Sequence, residues 1–248
     1  MAKCMKKAEW FDTFYSHPFA DLTYTKEDSA KEISSFFESV VKTKSKVLDQ
    51  CCGNGTIDIE ISKNGHEVVG IDLSKRAIEN AKQKSTSKRL DLKFKIADAR
   101  EFVDENAFDA CTCWHTSCAY SEDDQKNVMQ FDCMSRNLKH GGLFIIDTIN
   151  PEYVEANFKR RMEDHLDDGT TVVRKYLLKD SILSSEWKVT GKNEVYSVFT
   201  GMTKLYTLPQ YVEILASIGL RIVDAVGNYS SDELSIRTGR MIMFGEKI

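Results

Sequence analysis

The chain has 248 residues, with 34 Lys and Arg, 38 Asp and Glu, and a formal net charge of −4. Its 42% apolar and 29% charged residues are typical of a folded protein with one large domain or two small ones. The slightly acidic balance disfavours a binder of duplex DNA. No apolar run reaches the ~18 residues of a membrane span, and residues 1–9 lack the apolar stretch of a secretory signal.

The seven cysteines are an odd number and lie within apolar runs rather than at the spacings of a disulfide framework. This usage is typical of reduced, buried thiols, and we expect a cytoplasmic protein. Two groups are close enough in sequence to be considered as metal ligands: Cys51 with Cys52, and Cys111 and Cys113 with Cys118 and Cys133 beyond. Because structural zinc sites are usually built from Cys-x2–4-Cys pairs, we expect no metal.

Short apolar runs alternate with helical patterns from residue 46 to residue 148. The patterns predict strands over residues 46–49, 67–72, 92–97, 108–113 and 142–147, and helices over 56–64, 75–84 and 123–139. This alternation is typical of βαβ units that form a parallel sheet covered on both faces.

The segments that flank this core have a different character. Residues 8–24 hold six aromatic rings and precede a predicted helix over 26–41. Partial alternation within residues 170–206 predicts antiparallel strands, including 171–176 and 194–199. A helix over 209–218, ended by Gly219, and strands over 221–226 and 240–244 follow. The fold class predicted is α/β, a doubly wound, mostly parallel sheet with an antiparallel insertion.

Chemistry is expected at the carboxyl ends of the strands, because ligands of open α/β sheets bind there. Asp49 ends the first strand, and Gly53 and Gly55 after it permit a tight turn with N–H groups close to a ligand. Asp72 ends the second strand, where a carboxylate is placed to bind a ribose diol. The third strand ends at Asp98.

The class of ligand follows from what this loop lacks. Asp58 stands where a dinucleotide loop has its third glycine, and Asp49 and Asp58 together would repel a pyrophosphate, which disfavours NAD. No Gly-x4-Gly-Lys-Ser/Thr loop is present, which disfavours ATP and GTP. Acids and aromatic faces favour a cationic nucleoside, and S-adenosylmethionine, with its sulfonium and ammonium groups, is such a ligand.

At these positions the sequence resembles the class I S-adenosylmethionine-dependent methyltransferases. Residues 47–55 resemble the cofactor loop of that family, Asp72 its ribose-binding acid, and residues 97–99 its adenine-side loop. Residues 108–120 and 138–147 resemble its fourth and fifth strand motifs. Residues 10–15, 147–151 and 205–208 resemble a bacterial subgroup that acts on small molecules, sugars or peptides. Cys51 replaces the usual first glycine and Gln50 a usually apolar residue, but we expect the turn to form because cysteine is small.

The resemblance implies a seven-stranded Rossmann-like sheet with an aromatic N-terminal lid. It divides the chain into a lid (1–45), a cofactor-binding core (46–150), a substrate-covering insertion (151–206) and a segment that completes the core (207–248). It also implies S-adenosylmethionine as cofactor. The cofactor-binding residues expected are Tyr24, Asp49, Cys51, Gly53, Gly55, Asp72, Leu73, Asp98, Ala99 and Trp114. The alternatives are turn or helix capping for Asp49 and Asp72, a solvated loop acid for Asp98, and core packing for Trp114.

His115, directly after the fourth strand, is the candidate catalytic base, because an imidazole with a pKa near ~6.5 can take a proton at neutral pH. Its alternative is a histidine that only lines the pocket. The candidate substrate-binding residues are Tyr15, His17, Tyr120 and Arg161. Simple packing is the alternative for the tyrosines, and a solvated helix face for residues 159–161. The other histidines, His66, His140 and His165, are expected at the surface or in loops.

The function predicted is methyl transfer from S-adenosylmethionine to an oxygen (hydroxyl or carboxylate) or a nitrogen of a small molecule or modified peptide, in bacterial secondary metabolism. The partner expected is therefore a small-molecule or peptide substrate, with neither DNA nor membrane involved. The alternatives are a tRNA or protein methyltransferase and a non-catalytic protein that only binds the cofactor.

Overall fold

A computed structural model describes residues 26–166, 169–191 and 195–248 of the chain. Tyr15, His17, Tyr24 and the aromatic segment around them lie outside these residues. The helices are α1 (Glu27–Val40), α2 (Thr56–Lys63), α3 (Lys75–Ser87), α4 (Asp124–Asn137), α5 (Pro151–Ala156) and α6 (Leu208–Ser217). The strands are β1 (Lys46–Gln50), β2 (Glu67–Asp72), β3 (Lys93–Ile96), β4 (Phe108–Cys113), β5 (Leu138–Ile149), β6 (Arg161–His165), β7 (Thr171–Lys179), β8 (Ile182–Thr190), β9 (Val195–Lys204), β10 (Leu220–Val226) and β11 (Arg240–Lys247). Within the described ranges, no helix combines the length and apolarity that crossing a membrane requires.

Seven strands form one sheet in the order β3-β2-β1-β4-β5-β11-β10. Strands β1 to β5 are parallel, whereas β11 pairs antiparallel with both β5 and β10. The chain starts in the middle at β1, proceeds to one edge at β3, and returns to the other side of β1 at β4. This confirms the doubly wound α/β class and places a topological switch point between β1 and β4, where ligands of such sheets bind.

Both faces of the sheet are covered by apolar side chains. Along β1, Leu48 belongs to a core cluster with Phe131 of α4, whereas the neighbouring Val47 belongs to a second cluster with Ile33 and Phe37 of α1. Successive residues of a strand point to opposite faces. The apolar runs of these strands are therefore continuous because each face is buried under helices.

The insertion is a separate four-stranded antiparallel sheet in the order β6-β7-β8-β9. The strand predicted over 171–176 lies within β7. Strand β9 contains residues 195–199 of the strand predicted over 194–199, and residue 194 lies outside the described residues. The prediction of a solvated helix face for residues 159–161 is wrong. Helix α5 ends at Ala156, and Arg161 begins β6, where it lies opposite Lys175 of β7. Strand pairing with β7 therefore decides the local structure there.

Three further local predictions need correction. Helix α3 continues to Ser87, and β5 begins at Leu138, four residues before the predicted strand. His66, expected at the surface, is buried: its Nδ1 accepts a hydrogen bond from the Ser45 N–H at 3.1 Å, and its Nε2 lies 2.9 Å from a Glu38 carboxylate oxygen. Both ring nitrogens thus have partners, which makes the burial of a histidine tolerable.

Candidate active site

The loop after β1 turns through three residues with positive φ: Cys51 at 63°, Gly53 at 55° and Gly55 at 71°. A Cβ on Gly55 would lie 2.7 Å from the Phe94 ring, so this position requires glycine for space as well as for conformation. Gly55 is also the N-cap residue of α2. The turn forms with Cys51 at the position of the usual first glycine, although a side chain disfavours the left-handed conformation.

Asp72 connects this loop to the end of β2. One of its carboxylate oxygens accepts a hydrogen bond from the Gly53 N–H at 2.9 Å, and the other accepts from the Ser74 N–H at 2.8 Å. Asp72 therefore organises the start of α3, as the capping alternative predicts, and also braces the glycine turn. The next residue, Leu73, is 37% exposed and offers an apolar surface beside the carboxylate.

Two carboxyl groups are buried beneath the loop. The Thr112 hydroxyl donates to Asp49 at 2.7 Å. Among the described residues neither carboxyl oxygen of Asp58 has a hydrogen-bond partner. Burial is the main cause that raises the pKa of both acids, that of Asp58 to about 7. Burial therefore favours the protonated form of both acids next to the cofactor loop.

Asp98 follows β3 and is held by Arg100. The Arg100 side chain donates to both carboxylate oxygens, with Nε 2.9 Å from one and 3.1 Å from the other. Burial alone would raise the pKa of Asp98, but the hydrogen bonds from Arg100 outweigh it and lower that pKa. Asp98 is therefore an ionised, braced acid rather than a freely solvated one, and the adjacent Ala99 is buried.

A polar network surrounds His115 at the carboxyl ends of β4 and β5. Its centre is Asp147, which is fully buried and accepts hydrogen bonds from Tyr229 Oη at 2.6 Å and from Arg240 Nη1 at 2.7 Å. A second Arg240 nitrogen, Nη2, lies 2.8 Å from Nδ1 of His115. Burial and the positive charge of Arg240 lower the pKa of His115, against the opposing effect of Asp147.

The backbone at His115 has an unusual conformation. His115 and Thr116 both have positive φ, at 56° and 59°. The His115 N–H donates to the Asp147 carboxylate at 2.8 Å, and the Thr116 N–H donates to the Asp147 main-chain oxygen at 2.9 Å. Two consecutive non-glycine residues in this conformation are costly, and the hydrogen bonds to Asp147 compensate.

Asp147, Tyr229 and Arg240 belong to the site although no sequence motif predicts them as site residues. The signal for Arg240 was the direction of its strand: β11 is antiparallel to β5, so its first residue lies at the carboxyl edge of the parallel strands, opposite Ile149. An antiparallel strand in such a sheet brings its beginning, not its end, to the site.

The remaining candidate residues are distributed between core and insertion. Trp114 is 3% exposed and packs edge-on against Tyr229, and its indole N–H has no partner within the described ranges. Tyr120 is half-buried in the segment after His115. Arg161 is exposed on the insertion sheet and pairs with Glu163 two residues further along β6. The structure thus gathers the loop, Asp72 and His115 at one sheet edge, and leaves Arg161 in the other sheet.

A family model described as a methyltransferase domain matches residues 41–201. The chain therefore belongs to this methyltransferase family. Over 220 residues it is 25% identical to the putative methyltransferase YqeM of Bacillus subtilis, covering 86% of this chain and 89% of that protein.

Two solved structures show the same fold. A S-adenosylmethionine-dependent methyltransferase from Clostridium acetobutylicum is 21% identical, with a TM-score of 0.79 over 96% of this chain and 97% of that one. CalS10, an amino pentose methyltransferase of calicheamicin biosynthesis from Micromonospora echinaspora with bound S-adenosylmethionine, is 18% identical, with a TM-score of 0.70 over 93% and 95%.

The protein is an enzyme, and S-adenosylmethionine is its cofactor. The residues of the site fit this group. The acids Asp49 and Asp72 beside the turn suit a cation and a ribose diol. Gly53 and Gly55 contribute no side chains to the turn, and Leu73 offers an apolar surface to the adenine base.

Proposed function

We propose that this methyltransferase acts on an oxygen or nitrogen of a small molecule or modified peptide, within the cytoplasm and as part of bacterial secondary metabolism. The observation that carries the proposal is a backbone hydrogen bond of 2.8 Å from the Lys204 N–H, at the end of β9, to the Ala119 oxygen. It joins the insertion sheet to the segment that follows His115. An insertion attached at this point is suited to cover the bound acceptor when the acceptor is a small molecule. A macromolecular substrate needs a binding surface that is left uncovered.

Three further features support the same proposal. The net charge of −4 provides no general attraction for a nucleic acid. CalS10, which shares the fold, acts on an amino pentose. All six cysteines in the described part of the chain are free thiols, as is typical of reducing compartments.

When bound, S-adenosylmethionine supplies a methyl group already activated by a sulfonium leaving group. The protein's task is therefore to align the acceptor and to exclude water. In this proposal Asp72, Leu73 and the glycine turn hold the nucleoside, and Asp49 faces its ammonium group. His115 and Tyr120 contact the acceptor.

The experiment that tests the proposal is incubation of the purified protein with methyl-deuterated S-adenosylmethionine and a bacterial extract, followed by mass spectrometry. We expect a labelled product in the small-molecule or short-peptide fraction. The matched variants Asp72→Ala and Asp91→Ala remove a site acid and an exposed acid on the loop before β3. The first should lose labelling and the second should retain it. Label only in tRNA or intact protein, or cofactor binding without any labelled product, would refute the proposal.

A further inference from the structure

The contact between Arg240 and His115 determines which ring nitrogen carries a proton. Arg240 Nη2 lies 2.8 Å from Nδ1 of His115, and a guanidinium can only donate hydrogen bonds. Nδ1 must therefore accept. A neutral imidazole that accepts through Nδ1 carries its proton on Nε2.

The surroundings disfavour a second proton on the ring. The charged groups that face the ring are Asp147 of β5 and Arg240 of β11. The titratable Tyr229, in the loop between β10 and β11, contacts both of these residues. Asp147 already accepts from Arg240 and Tyr229, and its carboxylate is 3.9 Å from Nδ1. A proton on Nδ1 would meet the guanidinium N–H at hydrogen-bond distance, and Arg240 does not give up its charge in the physiological range.

We propose that His115 acts on the methyl acceptor as a hydrogen-bond donor through Nε2–H, not as a base, and that Arg240 is the positioning residue that fixes this tautomer. The proposal rests on the proposed function. Nε2 is buried and has no hydrogen-bond partner among the residues that the structure describes. A buried donor without a partner is costly to maintain, which is consistent with a contact reserved for a ligand.

The role of His115 as a hydrogen-bond donor limits the chemical groups that can serve as the methyl acceptor. The group that meets Nε2–H must carry a free lone pair, as an oxygen or an unprotonated nitrogen does and an ammonium does not. A carboxylate suits it well: one oxygen forms the bond to the methyl carbon, the C–S electron pair stays on sulfur, and no proton moves. The second oxygen remains free to accept from His115.

The test is NMR of the full-length protein labelled with 15N-histidine, with the imidazole nitrogens followed between about pH 5 and pH 9 and assigned through His115→Gln. We expect a neutral His115 with Nε2 protonated across most of this range, with and without S-adenosylhomocysteine. Arg240→Gln should give His115 a mixture of tautomers and an ordinary titration. Arg240→Lys also places a cation that can only donate beside Asp147 and Nδ1, and should therefore keep the proton on Nε2.

Arg237→Gln is the matched control, since Arg237 is exposed and lies three residues before Arg240; it should leave the His115 spectrum unchanged. A wild-type His115 that is protonated on Nδ1 at neutral pH, or a tautomer that Arg240→Gln leaves unaltered, would overturn the proposal. The readout needs no methyl acceptor. A failure of the proposed function, seen as absent methyl transfer, is therefore distinguishable from a failure of this assignment.

Discussion

Burial and the neighbouring carboxyl of Asp58 together raise the pKa of Asp49, and these two residues, Asp49 and Asp58, are 2% and 0% exposed. Asp49 ends β1 and Asp58 lies in the first turn of α2, so the pair joins the two elements that the cofactor loop connects. Burial holds the pKa of Asp58 at about 7, above its ordinary value of 3.8. The loop is therefore built over a group that titrates near neutral pH.

The first prediction concerns stability and pH. The folded protein retains a proton on Asp58 that the unfolded chain releases, so stability falls as pH rises between about pH 4 and pH 7, and the loss is complete above that. Asparagine fits the same space and has no carboxyl group that ionises as the pH rises. We expect Asp58→Asn to raise the free energy of unfolding at pH 8 by up to about 4 kcal/mol, with a difference that shrinks toward pH 4.

Urea unfolding at several pH values measures this difference. Asp91→Asn is the control, because Asp91 is exposed and should change stability by less than about 0.5 kcal/mol. A stability difference between Asp58→Asn and the wild type that does not vary with pH would contradict the assignment of the proton to this pair.

The second prediction concerns the same proton during cofactor binding. If Asp49 faces the ammonium group of the cofactor, the added positive charge favours the ionised form of the pair. Binding near pH 6.5 should then release part of a proton. Titration calorimetry in two buffers of different ionisation enthalpy measures that release, and Asp58→Asn should reduce it. Equal heats in both buffers would mean that the pair does not sense the cofactor.

Asp72 carries the third prediction. Removing this carboxylate deletes the partner of the Gly53 N–H and the proposed ribose contact together. Because charge-assisted hydrogen bonds contribute about 1.5–3 kcal/mol each, we expect Asp72→Ala to weaken binding of S-adenosylhomocysteine by about 10- to 100-fold. Calorimetry with Asp91→Ala as control checks this. Unchanged affinity in Asp72→Ala would show that the ribose is held elsewhere.

The sequence was sufficient to predict the sheet and the loop, because both are encoded locally. Apolar runs mark the strands, and Asp49, Gly53 and Gly55 follow one another in the chain. The network at His115 is different. Asp147, Tyr229 and Arg240 meet His115 only after β5, β10 and β11 have paired, at separations of up to 125 residues.

The same limit applies to burial and to the insertion. His66 stands among polar residues in the sequence, and only the packing of α1 supplies its partner Glu38. Likewise, Arg161 lies in a basic run that is compatible with a helix until β7 is available to pair with it. Local composition does not contain these contacts. Histidines and short strands at the edge of a fold are therefore the features most prone to misassignment.

The last prediction uses the backbone of Cys51. Its φ of 63° lies in the left-handed region. A residue with a Cβ is destabilised there by about 1–2 kcal/mol, whereas glycine is not. Glycine also raises the entropy of the unfolded chain, which offsets about 0.5–1 kcal/mol of the gain. We therefore expect Cys51→Gly to be neutral or stabilising by up to about 1 kcal/mol. Cys51→Val, which is β-branched, should destabilise the protein.

Thermal or urea denaturation of these variants, under reducing conditions, measures the effect. Cys52→Gly is the matched control: the neighbouring Cys52 is not among the residues with positive φ, and its sulfur packs against Gly70. Cys52→Gly should only destabilise the protein. Glycine makes the unfolded chain more flexible, and the folded protein loses the packed sulfur. If Cys51→Gly destabilises as much as Cys52→Gly, the thiol of Cys51 contributes more to the loop than its backbone conformation costs.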